Sequence, residues 1–356
     1  MLPDKDGPGP GGGPRSAAGE DPSVSLFRDY LRLKTVHPQP DYSAVKFLER
    51  IAAELGLPLK KIEVCPGKVV SIMTWEGSNP SLKSVLLNSH TDVVPVFQEE
   101  VGGEKGMETF IKHPEFKKLN IGFALDELAN PGEAFTVFYG ERNPWITVNC
   151  PGSPGHGSRF VENTAAEKLR TVMNSFLDFR EKEKQLNTSE CFTLGDVTTV
   201  NMTMVRGGVA YNVIPDEMDV SFDLRIPPTV NLKEFEEQIR RWCQEAGEDV
   251  TYKFAQKHMN QNITSTEESD PWWTAFSTAC KDKLTLEKEI FPAATDSRFI
   301  RAVGIPAIGF SPMNRTPILL HDHNEYLNEQ GFLKGIGIYQ RLIPALASVP
   351  AAADQP

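Results

Sequence analysis

From about Tyr139 to about Lys257 the chain abandons the helix-and-strand alternation that marks the rest of it. WITVNC, VTTVNMTMV and VAYNVIPDEMDVSFDLRI have the alternation and β-branched content of strands. The helical runs TAAEKLRTVMNSFLDFREKEK and NLKEFEEQIRRWCQEAG lie between and after them, and the strand VTYKFA closes the block. The order βαββαβ makes a compact two-layer unit. Such a unit fits as an insertion, which divides the chain into an inserted domain, 139–257, and a discontinuous domain, 21–138 and 258–356.

The flanking segments read as an α/β sheet with helices. Asp21-Pro22 opens the helix SVSLFRDYLRLKTV, and DYSAVKFLERIAAELGL is a second helix ending near Gly56 and Pro58. KKIEVC and KVVSIMTWEG alternate like strands. SVLLNSH and GFALDE are short apolar runs ending in polar residues, the pattern of buried strands whose carboxyl ends reach a site. PWWTAFSTACKDK, AATDSRFIRAVG, IPAIGFSP and a last helix from about Tyr326 to Leu346 resume the alternation. The expected fold is α/β in two domains, one mixed-sheet domain built from both ends of the chain and one inserted βαββαβ domain.

Composition narrows the function. The 356 residues, 40% of them hydrophobic, suffice for two cores. A net charge of −11 argues against a nucleic-acid or anionic-membrane partner. No apolar run approaches the roughly 18 residues of a membrane span. The Gly- and Pro-rich start has no apolar core of a signal peptide, so residues 1–20 are expected to be disordered. The cysteines are odd in number and form no CxxC pair, which suits free thiols in a reducing, cytoplasmic setting.

Four clusters carry candidate chemistry. His90 and Asp92 stand at a strand end, where Asp92 can orient the imidazole for a metal; a hydrogen-bonded structural histidine is the alternative. Adjacent Glu99 and Glu100 point different ways, so one can ligate and the other act as a base; a solvated acidic turn is the alternative. Asp126-Glu127 ends the strand GFALDE, as a site pair or a helix cap. His321 opens HDHNE, either as a metal ligand or as part of a polar helix start capped by Asn324.

Together HTDVVP, EEVGG, ALDE, GHGS, AYNVIP, FDLR and HDHNE form an ordered set. With SLFRDYLR, TAAEKL and PAATDSRFIRAVG around them, the chain resembles the di-zinc aminoacylase/carboxypeptidase family from Pro22 to Pro350. The resemblance implies two zinc ions per subunit. It implies that His90 and Glu127 hold one zinc, and Glu100 and His321 the other. Glu99 is then the general base and Asp92 the residue that orients His90. His156 belongs to the inserted lid/dimerisation domain and reaches into the partner's site of a homodimer. Asn212 and Arg225 bind the substrate's carbonyl and carboxylate, with Arg298 a further carboxylate contact. The implied substrates are small N-acyl-L-amino acids, hydrolysed to a carboxylate and a free amino acid. A dipeptidase or other deacylase of the family, and a non-catalytic form that dimerises through the lid, are the alternatives. The lid residues also have ordinary readings, with Gly155-His156-Gly157 as a turn, Asn212 as a strand-end cap and Arg225 as a surface ion pair.

The chain departs from that family at one place. Six residues, Val93 to Gln98, separate Asp92 from Glu99. The family places there a helix, the strand that delivers the two glutamates, and an aspartate bridging both zincs. A parallel crossover needs about a dozen residues or more, so a block is expected to be missing between Gln98 and Glu99, and activity to be impaired. Leu128 also replaces the glycine usual after the glutamate.

Overall fold

The computed structural model describes residues 19–36, 42–91, 93, 106–126, 135–189, 192–281, 284–317, 319 and 324–351. Helices α1 (Pro22–Leu31) and α2 (Tyr42–Leu55) lead into the antiparallel pair β1 (Leu59–Cys65) and β2 (Lys68–Met73). Next come β3 (Ser84–Leu87), the short helices α3 (Met107–Lys112) and α4 (Pro114–Lys118), β4 (Ile121–Asp126) and β5 (Phe135–Glu141). The middle block holds β6 (Asn143–Pro151), β7 (Gly155–His156), α5 (Ala165–Asn187), β8 (Thr199–Gly207), β9 (Val213–Ile214), β10 (Glu217–Ile226), α6 (Leu232–Ala246) and β11 (Thr251–Gln256). Finally α7 (Pro271–Lys281), β12 (Leu286–Phe291), α8 (Ser297–Ala302), β13 (Ala307–Phe310) and α9 (Glu329–Ala347) return to the first domain.

Helix starts follow local chemistry. The Asp21 side chain accepts from Ser23 N, with Pro22 at the first helical position of α1. Thr164 and Glu167 form a reciprocal capping box at α5. Asn328 caps α9 by accepting from Gly331 N. The helix therefore begins after the HDHNE run, and Asn324 is not its cap.

The larger sheet has the order β12-β5-β13-β4-β3. Its pairs β12/β5, β13/β4 and β3/β4 are parallel and β13/β5 is antiparallel, so the sheet is mixed as expected. Alternation along β4 sends Phe123 and Leu125 into one core, with Phe276, Phe310 and Leu342 from α7, β13 and α9. Ala124 faces the other core, with Phe110, Phe116 and Ile300 from α3, α4 and α8. The second sheet, β11-β6-β10-β8, is antiparallel throughout. Helices α5 and α6 cover it, and Phe176 stacks on Phe222 with ring centroids 4.2 Å apart. The elements β6-α5-β8-β10-α6-β11 reproduce the βαββαβ order, with the small ribbon β7–β9 added.

Three details differ from the sequence reading. The passage between the sheets lies at Arg142 and not at Tyr139, because β5 continues to Glu141 in the larger sheet. One residue separates β5 from β6, so hydrophobicity gives no sign of the change. Arg142 is buried and donates to Val197 O at 2.6 Å and to Pro292 O at 2.8 Å, which ties the inserted unit to the loop after β12. Strands β5 and β12 themselves are new. The run SVLLNSH yields the four-residue β3, which is an edge among the described residues and not a buried strand; Leu87 is 49% exposed.

Candidate functional site

The carboxyl ends of β3 and β4 meet the start of α8. Asn88 extends the β3/β4 ladder by one step, its N–H donating to Leu125 O at 2.8 Å. Its side-chain amide then donates to Asp126 Oδ1 at 3.0 Å and to Asp296 Oδ2 at 3.3 Å. Asp126 is 2% exposed and accepts on Oδ2 from both the N–H and the hydroxyl of Ser297, each at 2.9 Å. These bonds fix the end of β4 to Asn88 after β3 and to the first turn of α8.

His90 follows Asn88 by two residues, and its Nε2 lies 3.8 Å from Asp296 Oδ2. Asp296 stands at the N-cap position of α8 but makes no capping bond. It is turned instead to Asn88 and His90. Burial pushes its carboxyl above the usual range; His90 and the Asn88 amide oppose that shift, and the neighbouring Asp126 adds to it.

Behind this corner runs a buried polar chain. Thr295 donates to Glu141 by its N–H and, at 3.2 Å, by its hydroxyl. Arg301 donates to Glu141 and, at 2.9 Å, to Ala307 O. The Arg301 and Glu141 side chains are 4% and 5% exposed. Burial raises the Glu141 carboxyl, against the pull of Arg301, the Thr295 N–H and Arg298. Arg298 itself packs its guanidinium 4.5 Å from the centre of the Phe299 ring.

The inserted domain presents a second group of residues. His156 and Asn212 are joined by the β7–β9 ribbon, where Gly157 N donates to Asn212 O at 2.8 Å. His156 Nδ1 lies 2.8 Å from the Ser158 hydroxyl and 3.3 Å from the Ser158 N–H. The Asn212 amide lies 3.5 Å from Nε2, at the limit of hydrogen bonding. Both side chains are exposed. Arg225 on β10 makes a two-pronged pair with Asp223, at 2.7 and 3.1 Å.

The structure therefore groups His156 with Asn212, and places His90 beside Asp296. Asp92, Glu99, Glu100, Glu127 and His321 lie outside the described residues. Among the described residues no group of three or more His, Cys, Asp or Glu side chains is placed to hold a metal ion, so they do not by themselves make a metal centre. Asn88, Asp296 and Ser297 are site-forming residues that the sequence does not reveal. An aspartate at a helix cap ordinarily bonds to the helix backbone, and only the fold shows this one facing a histidine.

Residues 144–251 match the family described as "Peptidase dimerisation domain". Aminoacylase-1A of Rattus norvegicus is 55% identical over 402 residues, covering 95% of this chain and 98% of the rat protein. Aminoacylase-1 of Homo sapiens is 53% identical over 395 residues, covering 93% and 97%. Among solved structures, a tripeptidase from Staphylococcus aureus superposes with a TM-score of 0.68 at 15% identity, covering 90% of this chain and 98% of that one. An M20 family metallo-carboxypeptidase from Sulfolobus solfataricus gives 0.65 at 13% identity, covering 92% and 100%. These two show a shared fold.

Proposed function

The chain belongs to the aminoacylase-1 family of hydrolases, and from that premise we propose that its inherited reaction is zinc-dependent hydrolysis of N-acyl-L-amino acids in the cytoplasm, impaired here by a missing internal block. The observation that carries the proposal is the length of the match. The alignment to the rat protein is 402 positions long, whereas 95% of this 356-residue chain is about 338 residues, so about sixty positions face no residue of this chain. That is room for a strand–helix–strand unit, which takes about 30 residues or more. The edge position of β3, with Leu87 exposed, suits a sheet that has lost a neighbour.

In this reading His90, Glu127, Glu100 and His321 would hold the two zincs. Zinc, when bound, supplies Lewis-acid polarisation of the amide carbonyl and a more acidic water. Glu99 takes a proton from the attacking water and delivers it to the leaving amine. The Nε2–H of His156, from the partner of a homodimer, donates to the carbonyl oxygen as negative charge develops there. Asn212 supports the same oxygen. Arg225 reads the α-carboxylate with its fork, a contact that requires Asp223 to release it, and Arg298 lies next to the corner that holds Asp296. Asp296 and Asn88 take over part of the orienting role assigned to Asp92.

The reaction class is tested with a version in which the missing block is restored. It should hydrolyse N-acetyl-L-methionine and leave N-acetyl-D-methionine and simple dipeptides untouched. Faster cleavage of a dipeptide would favour the dipeptidase alternative.

A further inference from the structure

We infer that Asp223 is a placeholder for the α-carboxylate of an N-acylated amino acid: it occupies the Arg225 fork in the empty chain, gives it up on binding, and so sets the affinity for such ligands. The inference rests on the reading of Arg225 given above and deepens it. Two residues apart on β10, Asp223 and Arg225 share one side of the strand, while Phe222 and Leu224 turn into the core beneath α5 and α6. The pair therefore stands on the face that the helices leave uncovered. Nε and Nη2 of Arg225 donate to the two carboxylate oxygens at 2.7 and 3.1 Å, the two-pronged geometry that a ligand's carboxylate takes on an arginine. The side chains are 18% and 24% exposed, so water reaches both and the exchange needs no opening of the core.

Position and charge set this pair apart from a surface ion pair. Arg225 lies opposite Thr199 and precedes Ile226, which pairs with Asn143. It thus ends the inserted sheet where the chain crosses to the larger one, beside the buried Arg142 that donates to Val197 O and Pro292 O. The loop that begins at Pro292 leads to Asp296, at the corner with His90. Burial and the Arg225 charge lower the Arg142 guanidinium to about 10, and Asp223 opposes that shift. The Asp223 carboxylate therefore serves both cations. An arriving carboxylate takes the Arg225 fork while Asp223 still has Arg142 to face, so neither cation loses its anion. Like replaces like, and Asp223 competes with every ligand that enters. An uncharged ligand has nothing to offer in that exchange.

The test follows binding of N-acetyl-L-methionine and of its uncharged analogue N-acetyl-L-methioninamide to the full chain by ligand-observed NMR. Asp223→Asn, isosteric and neutral, should tighten the acid about tenfold and leave the amide unchanged. Asp223→Glu keeps a competing carboxylate and should not tighten the acid. Arg225→Gln should bind acid and amide alike. Asp178→Asn, the same charge change at an exposed position of α5, should alter neither affinity, which separates the fork from net charge. A purely structural Asp223 requires the opposite sign, since its loss would free Arg225 and weaken the acid. On the unaltered chain the Arg225 Nε resonance should move when the acid is added and stay when the amide is added, and this readout decides the matter even where a variant fails to fold. An Arg225 resonance that ignores the bound acid, weaker or unchanged binding of the acid by Asp223→Asn, or equal tightening of the amide would overturn the placeholder alone. No binding of the acid to the unaltered chain or any variant would overturn the reading of Arg225 with it.

Discussion

Replacing Arg301 by methionine removes the cation that faces the buried Glu141 carboxylate. The guanidinium also loses its bond to Ala307 O, and Glu141 keeps only the Thr295 donors. Breaking one side of a buried pair costs about 3–5 kcal/mol, a large part of the roughly 5–15 kcal/mol that holds a domain together. The double variant Arg301→Met, Glu141→Gln leaves neither charge of this pair and should recover most of the loss. The pH dependence has a definite sign. Burial already raises the Glu141 carboxyl, and removing Arg301 raises it further. The folded variant then holds a proton that the unfolded chain has released, so its stability rises as pH falls toward the ordinary carboxylate range. Urea unfolding at pH 7.5 and pH 5.5 measures all three effects. A single-variant loss below about 1 kcal/mol, the scale of an exposed pair, or no recovery in the double variant, would refute the argument.

Other consequences are simpler to read. Burial pushes the Cys150 and Cys280 thiols up to about 11 and Cys243 up to about 12, so mass mapping after alkylation at neutral pH should find these three protected while the half-buried Cys65 is labelled. Phe176→Ala empties the centre of the inserted domain and should cost about 3–5 kcal/mol, read as an earlier melting transition together with loss of the homodimer on sedimentation. His156→Ala should leave zinc content unchanged and lower any turnover, whereas equal losses of both would make His156 a ligand.

The parts of the fold visible in the sequence are those where one local period decides the outcome. The βαββαβ block shows because its strands and helices alternate cleanly, and GFALDE shows because its two faces meet two cores. Strands β5 and β12 do not show. β5 runs into β6 with one residue between, and LEKEIF places its charges within a strand that pairs along one edge with β5. The edge position of β3 is equally hidden, because an apolar run looks the same whether one neighbour or two receive its hydrogen bonds. At the candidate site, family motifs point to His90, His156 and Asn212. They pass over Asp296 and Asn88, whose roles arise from the meeting of α8 with β3 and β4. The setting of the His156 ring between Ser158 and Asn212 is likewise visible only in the fold.

The missing block is the central claim, and zinc stoichiometry with turnover tests it most directly. This chain and a version carrying the restored block are purified side by side, their bound zinc is measured by elemental analysis, and N-acetyl-L-methionine hydrolysis is followed in both. The account predicts about two zincs per subunit and full turnover for the restored form, against fewer zincs and a rate lower by about a hundredfold or more for this chain. Two zincs per subunit and equal turnover in both would contradict it.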